Sequence, residues 1–474
     1  MVCRGRPSLS GTDPAFMTAE ALLAHFATGQ LSPVEALQAT TERIARHNPQ
    51  INAFAVLDPR ALQAARDSEG RWRAGRPVGA LDGVPCTVKD LIDVAGLPTR
   101  RGSRTTPSTL AAEDAPSVLG LKAAGAVIIG KTTTTEFGWK TPGDCPLHGI
   151  TRNPHHLLHT TGGSSSGAAA AAAAGFGPLH VGTDAGGSIR IPAAWCGVVG
   201  LKPSFGRVPQ WPIGAFGAVA VAGPIARTVR DAALMLSALA RFDGRDPFCL
   251  PDDARAWQDG IEAGVQGLRV SVLRHPGFDA PADADSVAAV EQAAVILADA
   301  GASIWDEDPG LPDTAAAFGR VWAVALAALV DGMAPESRRL LDAGIMEVAA
   351  SQSGLSATAL MATEEQRVLA AHRMARFHRR FDLVLCPAVP AGPPLATDPT
   401  TDPAAALMRD WAPWTALFNL TRQPAIAVPM GLSDAGLPRS VQLAAALYRD
   451  DLVLRAARVL ERAAPAPMAR LGAG

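Results

Sequence analysis

The chain predicts an α/β fold whose sheet is covered by helices on both faces. Three observations carry that reading. From about Gly83 onward, short apolar runs bounded by glycine and proline alternate with helix-period segments. The hydrophobic fraction of 48% is ample for a sizeable core. Charged residues at 19% are too few for a disordered chain. No internal repeat and no long linker interrupts the pattern, so residues 1–474 read as one domain. Within it stand a helical N-terminal region at about 17–75, a core at about 76–240 and a helical region at about 313–380.

Helices come first. Thr18 is placed to cap a helix reaching about Gly29. Ser32-Pro33-Val34-Glu35 is a capping box with proline at the first helical position, and its helix runs towards His47. A third amphipathic segment covers roughly Pro59 to Ala74. Gly83 to Asp90 then reads as a short strand ending in two charges. A helix around Pro116 to Ala124 leads to a strand at Ala126 to Ile129. Beyond about Arg230 the pattern gives a helix to Arg241, a strand at Leu268 to Leu273, a helix at Asp283 to Ala300 and a strand at Ala302 to Trp305. Residues from Asp313 to Phe381 are mostly helical. Phe381 to Pro387 is a buried strand that opens into a proline-rich loop to about Pro403. Strands at Ala425 to Pro429 and Val441 to Ala445 precede a last helix from Asp450.

Composition excludes several function classes. Lysine plus arginine total 43 against 45 acids, a net charge of −2, so no nucleic-acid partner is implied. The six cysteines are scattered without a C-x-x-C pair, which suits neither a zinc site nor a disulfide framework. Buried free thiols in a reducing, cytoplasmic compartment are expected. Met1 to Phe16 lacks the apolar core of a signal peptide. The alanine run ending at Ala174 is too short to cross a bilayer, so no membrane partner is expected. The expected assembly is a monomer or homodimer.

Three motifs mislead. Gly125-Ala126-Val127-Ile128-Ile129-Gly130-Lys131-Thr132 matches the P-loop pattern, but Ala-Val-Ile-Ile belongs in a strand rather than in a phosphate-cradling loop. Gly163-Ser164-Ser165-Ser166-Gly167 matches a nucleophile elbow centred on Ser165. That motif needs a preceding apolar strand, and Arg152 to His159 reads as a loop. The histidines (His148, His155, His156, His159, His180) lack a carboxylate or cysteine at ligand spacing, so neither metal nor cofactor is expected.

The stretch around which the chain is organised runs from Thr160 to Arg190. It holds two glycine- and serine-rich turns, Gly162-Gly163-Ser164-Ser165 and Gly182 to Arg190, on either side of a helix of alanines. With Gly83-Val84-Pro85 leading to Val88-Lys89-Asp90, and with Gly197-Val198-Val199-Gly200-Leu201-Lys202-Pro203 following, the chain resembles the amidase signature family. Ser164 and Ser188 stand 24 residues apart, the usual separation in that family. Pro424 to Pro429 and Gly436 to Leu443 resemble its C-terminal part, so the likeness spans nearly the whole chain. One departure is Ser166 followed by Gly167-Ala168, where many relatives carry a second glycine and then a small polar residue.

The resemblance implies a mixed, twisted sheet and a Ser–Ser–Lys triad. Ser188 would be the nucleophile, Ser164 the bridging serine after a cis peptide from Gly163, and Lys89 the base. The chemistry is coherent. A serine hydroxyl needs a base at neutral pH, and a lysine can supply one if burial lowers its pKa by roughly 3 units. Ser164 would relay the proton, since a hydroxyl donates and accepts at once. The amides of Ala185, Gly186, Gly187 and Ser188 would form the oxyanion hole.

Taken singly, each residue has a plainer role. Lys89 could pair with Asp90, Ser164 and Ser165 could cap the alanine helix, and Gly186-Gly187 could be an ordinary turn. Together, in this order and spacing, they read as catalytic, with Ser165 left to the cap.

The expected activity is hydrolysis of an amide, or of a carbamate or ester, of a small apolar or aryl substrate, as in aryl acylamidases and urethanases of that family. Gly138, Gly163, Trp139, Trp211 and Trp414 are the expected substrate contacts. Phe137, Phe216 and Trp411 are further candidates for an apolar pocket, shaped by 139–160, 205–220 and 313–380. The competing reading is the glutamine-hydrolysing component of a tRNA-dependent amidotransferase, whose C-terminal region is typically tyrosine-rich. Here that region reads Arg409-Asp410-Trp411-Ala412-Pro413-Trp414-Thr415, and the only tyrosine is Tyr448.

Overall fold

The computed structural model describes residues 13–253, 255–397, 406–469 and 471. Cys3 and most of the proline-rich loop after Ala396 lie outside them.

Local signals place the first helices. Thr18 Oγ1 accepts from the Ala21 amide at 3.1 Å and opens α1 (Ala19–Thr28). Ser32 and Glu35 form the reciprocal capping box of α2 (Pro33–Ile51). That helix continues past Pro49, beyond the expected end at His47.

Eleven strands make the main sheet: β1 (Phe54–Leu57), β2 (Pro85–Lys89), β3 (Val127–Thr132), β4 (Leu179–Asp184), β5 (Val199–Lys202), β6 (Val221–Ala226), β7 (Arg269–Val272), β8 (Ser303–Trp305), β9 (Leu383–Pro387), β10 (Ala425–Leu432) and β11 (Pro438–Ala445). Their spatial order is β1-β3-β2-β4-β6-β5-β10-β11-β9-β7-β8. The pairings β2 with β3, β2 with β4, β7 with β8 and β7 with β9 are parallel and the rest antiparallel, so the sheet is mixed. The fold is α/β, as the alternation predicts.

Period-two alternation sends neighbouring residues to opposite faces. Ile426 and Val428 enter one core, while Ala425 and Ala427 enter clusters on the other side. Ile128 and its neighbours Val127 and Ile129 divide in the same way. Several elements depart from expectation. The edge strand β1 and the proline-containing β6 do not stand out in the sequence. Residues His156–Thr160 form a short strand with Arg152–Asn153 where a loop is expected, although this hairpin stands apart from the main sheet.

The alanine helix (Ser166–Ala174) is buried on every side. Ala168, Ala169, Ala172 and Ala173 face one cluster, and Ala170, Ala171 and Ala174 face another. Methyl side chains let both cores approach it closely. The helix Thr314–Asp331 is long and apolar enough to cross a membrane, but Phe318, Trp322, Leu326 and Val330 on one face are buried in the protein core.

The motifs that mislead resolve physically. Lys131 lies in β3, not in a loop, and its ammonium pairs with Asp90 at 2.8 Å. Three of the histidines are held by the fold: His155 by the Cys196 carbonyl, His159 by that of Pro393, and His180 by Thr87 and the Gly177 carbonyl. Cys86, Cys145, Cys196, Cys249 and Cys386 are free, and all but Cys249 are buried.

Candidate active site

Parallel pairing of β2 with β4 sets Val88 against Val181, so the C-terminal ends of the two strands lie side by side. Ligand sites in such sheets form beyond the carboxyl ends of strands. Lys89 ends β2, and Thr183 and Asp184 end β4. Ser164 sits in the turn before the alanine helix, after a cis Gly163–Ser164 peptide. Ser188 lies in the loop that follows β4. The Ser165 amide donates to the Ser188 carbonyl at 3.1 Å and ties the two turns together.

Lys89 is fully buried. Its Nζ lies 2.7 Å from Ser164 Oγ, 2.9 Å from Ser165 Oγ and 2.9 Å from Thr183 Oγ1, with the Thr183 carbonyl at 3.4 Å. No carboxylate of the described residues contacts it; Asp90 is engaged by Lys131. Desolvation drives the Lys89 pKa well below its ordinary value, and the nearby charge of Asp184 opposes this only in part. A neutral amine carries two N–H donors and one lone pair. Its lone pair is therefore free to accept from a hydroxyl such as Ser164.

Ser165 holds the N-cap position but does not cap through its side chain, contrary to expectation. Its Oγ donates to the Thr183 carbonyl at 3.1 Å and accepts from the Thr183 amide at 3.2 Å as well as from Lys89. One donor and two acceptor sites are then filled, which leaves Ser165 to position the lysine and not to attack a substrate. Thr183 is a lysine partner that sequence reasoning missed, although it lies in the quoted motif.

Asp184 shapes the loop of Ser188. Its carboxylate accepts from the amides of Gly187 at 2.8 Å and Ile189 at 3.1 Å, and pairs with Arg190 at 2.9 Å. Burial pushes its pKa up, but Arg190, Lys202 and Asn419 outweigh that and hold it at about 2. Arg190 in turn reaches Thr415, Asn419 and Gln442, and Thr415 Oγ1 donates to the Gly186 carbonyl at 2.6 Å. Thr415 and Asn419 carry no motif, and Gln442 lies in the C-terminal stretch of the resemblance without being singled out there. The Asp184 contact also corrects one expectation. The Gly187 N–H is taken, whereas the amides of Ala185, Gly186 and Ser188 have no acceptor among the described residues. Ser188 Oγ likewise has no protein partner among them.

Ser164 and Ser188 open onto one cavity of about 320 Å³. Gly138, Phe137, Trp211 and Phe216 line it, as expected, together with Thr183, Ala185, Leu91, Ile213 and Leu329. Trp139 and Trp414 do not. Trp139 is buried edge-on against Trp411, and the Trp414 indole donates to the Pro281 carbonyl at 2.8 Å. Both are core residues, because an indole surrounded by apolar side chains stabilises the fold and is not presented to a ligand. Trp411 also lies away from this cavity. Gly163 contributes the cis peptide and not the wall. Of the expected specificity segments, 205–220 builds one side, 313–380 contributes Leu329, and 139–160 contributes nothing.

Comparison with known proteins identifies the family. The family model described as Amidase matches residues 35–454. An acylamidase of Rhodococcus erythropolis is 34% identical over 95% of this chain and 96% of its own length. The glutamyl-tRNA(Gln) amidotransferase of Rhodopirellula baltica has an A-type component that is 32% identical over 94% of this chain and 96% of its own length. A bacterial aryl acylamidase of the amidase signature family superposes with a TM-score of 0.87 at 30% identity, covering 95% of this chain and 96% of that one. A 6-aminohexanoate cyclic dimer hydrolase superposes at 0.86 with 31% identity, covering 97% and 99%. With the fold, the paired turns and these relatives in agreement, the chain belongs to the amidase signature family of amide hydrolases.

Proposed function

We propose that this chain cleaves amides of small, apolar or aryl compounds through an acyl-enzyme on Ser188, with Ser164 and Lys89 as its proton relay. The observation that carries the reading is a buried lysine, free of carboxylate contact among the described residues, bound 2.7 Å from a serine that shares a cavity with a second serine unpartnered among them. Ser188 Oγ attacks the carbonyl carbon while its proton passes to Ser164 Oγ, and the Ser164 proton passes to the Lys89 lone pair. The amides of Ala185, Gly186 and Ser188 are available to the developing oxyanion. The proton then returns along the relay to the leaving amine, and water, deprotonated by the same relay, releases the acid. Carbamates and esters pass through equivalent steps and belong to the proposed range.

Ser188→Ala is the direct test. It should abolish turnover of an anilide reporter with the fold intact, and activity near that of the unaltered enzyme would sink the assignment. A panel of anilides, aryl carbamates, primary amides and nitrophenyl esters ranks the substrates. The amidotransferase relative supports a second, glutaminase reading, and the tyrosine-poor C-terminal region weighs against it. Appreciable release of ammonia from glutamine, together with co-elution with partner proteins on sizing chromatography, would favour it over an acylamidase that runs as a monomer or homodimer.

A further inference from the structure

Arg101 is the one charged side chain lining the catalytic cavity among the described residues. Its guanidinium makes no hydrogen bond or ion pair with any described residue, whereas that of the preceding Arg100 donates to the Thr106 carbonyl. Its backbone is equally distinctive. Arg101 has φ +53° and Phe137 has φ +50°, a left-handed conformation that costs a non-glycine residue about 1 kcal/mol. The two residues are joined by a hydrogen bond from the Phe137 amide to the Arg101 carbonyl at 2.9 Å, and both line the cavity wall beside Gly138. Glycine would meet the backbone requirement at lower cost. A long cation is kept there instead, half-buried, with five donors and no acceptor.

Resting on the acyl-transfer reading above, we infer that Arg101 is a specificity-determining residue and that the preferred substrates carry a carboxylate besides the scissile amide. A guanidinium offers a carboxylate two parallel N–H donors, which neither Ser188 nor the three free amides supply. The rest of the wall, Leu91, Phe137, Trp211, Ile213 and Phe216, then accommodates the hydrocarbon part.

The test compares three reporters: butyryl nitroanilide, succinyl nitroanilide, which has a carboxylate on the acyl side, and butyryl aminobenzoate, which has one on the amine side. For at least one carboxylate reporter, the ratio of its kcat/KM to that of the neutral reporter should fall about 10- to 100-fold in Arg101→Met, and Arg101→Lys should recover part of it. In the unaltered enzyme that ratio should shrink as salt is raised. Ratios within about twofold of the unaltered enzyme in both variants, or a ratio indifferent to salt, would overturn the inference. Should no reporter be cleaved, the acyl-transfer reading fails on its own. Calorimetry with succinyl nitroanilide then decides the role of Arg101: weaker binding in Arg101→Met upholds it, and equal binding removes it.

Discussion

Asp90 pairs with Lys131 on the neighbouring strand, at 2.8 Å, and not with Lys89, which precedes it in the chain. Asp90 follows the last residue of β2, and its carboxylate is held by Lys131 and the Arg100 amide. The pair Asp90–Lys131 thereby leaves Lys89 to hydroxyls and one carbonyl. Replacing Asp90 by Asn should strand Lys131 as a buried, uncompensated cation and lower stability by about 3–5 kcal/mol. Urea unfolding measures this. Adding Lys131→Met to Asp90→Asn should restore a substantial part of the loss, and strict additivity of the two changes would refute the coupling.

Lys89 must be neutral to accept a proton, and burial moves its pKa well below that of a free lysine. Activity is therefore expected to rise with pH through the depressed pKa and to be lost as pH falls below it. Lys89→Met, close in length and without a titrating group, should lower kcat/KM by about 100- to 10,000-fold and abolish that rise. A pH profile of the variant parallel to that of the unaltered enzyme would exclude Lys89 as the base.

Legibility follows the range of the interaction. The capping box at Ser32, the short strand that ends at Lys89 and the two serine turns are local patterns, and each is visible in the sequence. β6 is hidden because Gly223-Pro224 reads as a break. Pro224 is nevertheless accommodated opposite Val181, while β5 pairs only with Ile225 and Ala226 on the other side. Ser165 reads as a cap because serine before a helix caps far more often than it serves a lysine. Thr415 and Asn419 support the site through contacts set by the tertiary fold, and no spacing rule marks them. The tryptophans show the same limit: composition counts indoles but does not say which face a cavity.

Trp211 and Trp139 separate on that point. Trp211 is 40% exposed and lines the cavity, whereas Trp139 is 1% exposed. Trp211→Ala should raise KM for aryl substrates with little change in melting temperature. Trp139→Ala should cost about 3–5 kcal/mol of stability. Steady-state kinetics and thermal melts of the two variants are expected to show opposite patterns.

His180 sets an acid limit on stability. It is fully buried between Thr87 and the Gly177 carbonyl, and burial, helped by the charge of Arg227, lowers its pKa to about 3. Unfolding releases it to an ordinary value near 6.5, so between about pH 6.5 and 3 the unfolded chain binds the extra proton. Stability should therefore fall as pH drops through that window, by up to about 1.4 kcal/mol per unit from this group. His180→Gln should flatten the slope of unfolding free energy against pH by that amount, and an unchanged slope would assign the acid sensitivity elsewhere.

Gly138 tests how closely the relay is fitted. It adopts φ +78°, and a Cβ placed there would lie 3.1 Å from Ser164 Oγ and 3.1 Å from Leu91 Cδ1. Alanine would incur the left-handed backbone penalty of about 1 kcal/mol and would press on the hydroxyl that bonds Lys89. Leu91 can swing aside, but Ser164 cannot move away without lengthening its 2.7 Å contact with the lysine. Gly138→Ala should therefore lower kcat by at least about tenfold while the fold survives, because misplacing a reacting group by a fraction of an ångström acts on the chemical step. Rapid-quench measurement of acyl-enzyme formation checks this. An unchanged acylation rate would show that the Ser164 hydroxyl tolerates displacement and does not carry the proton.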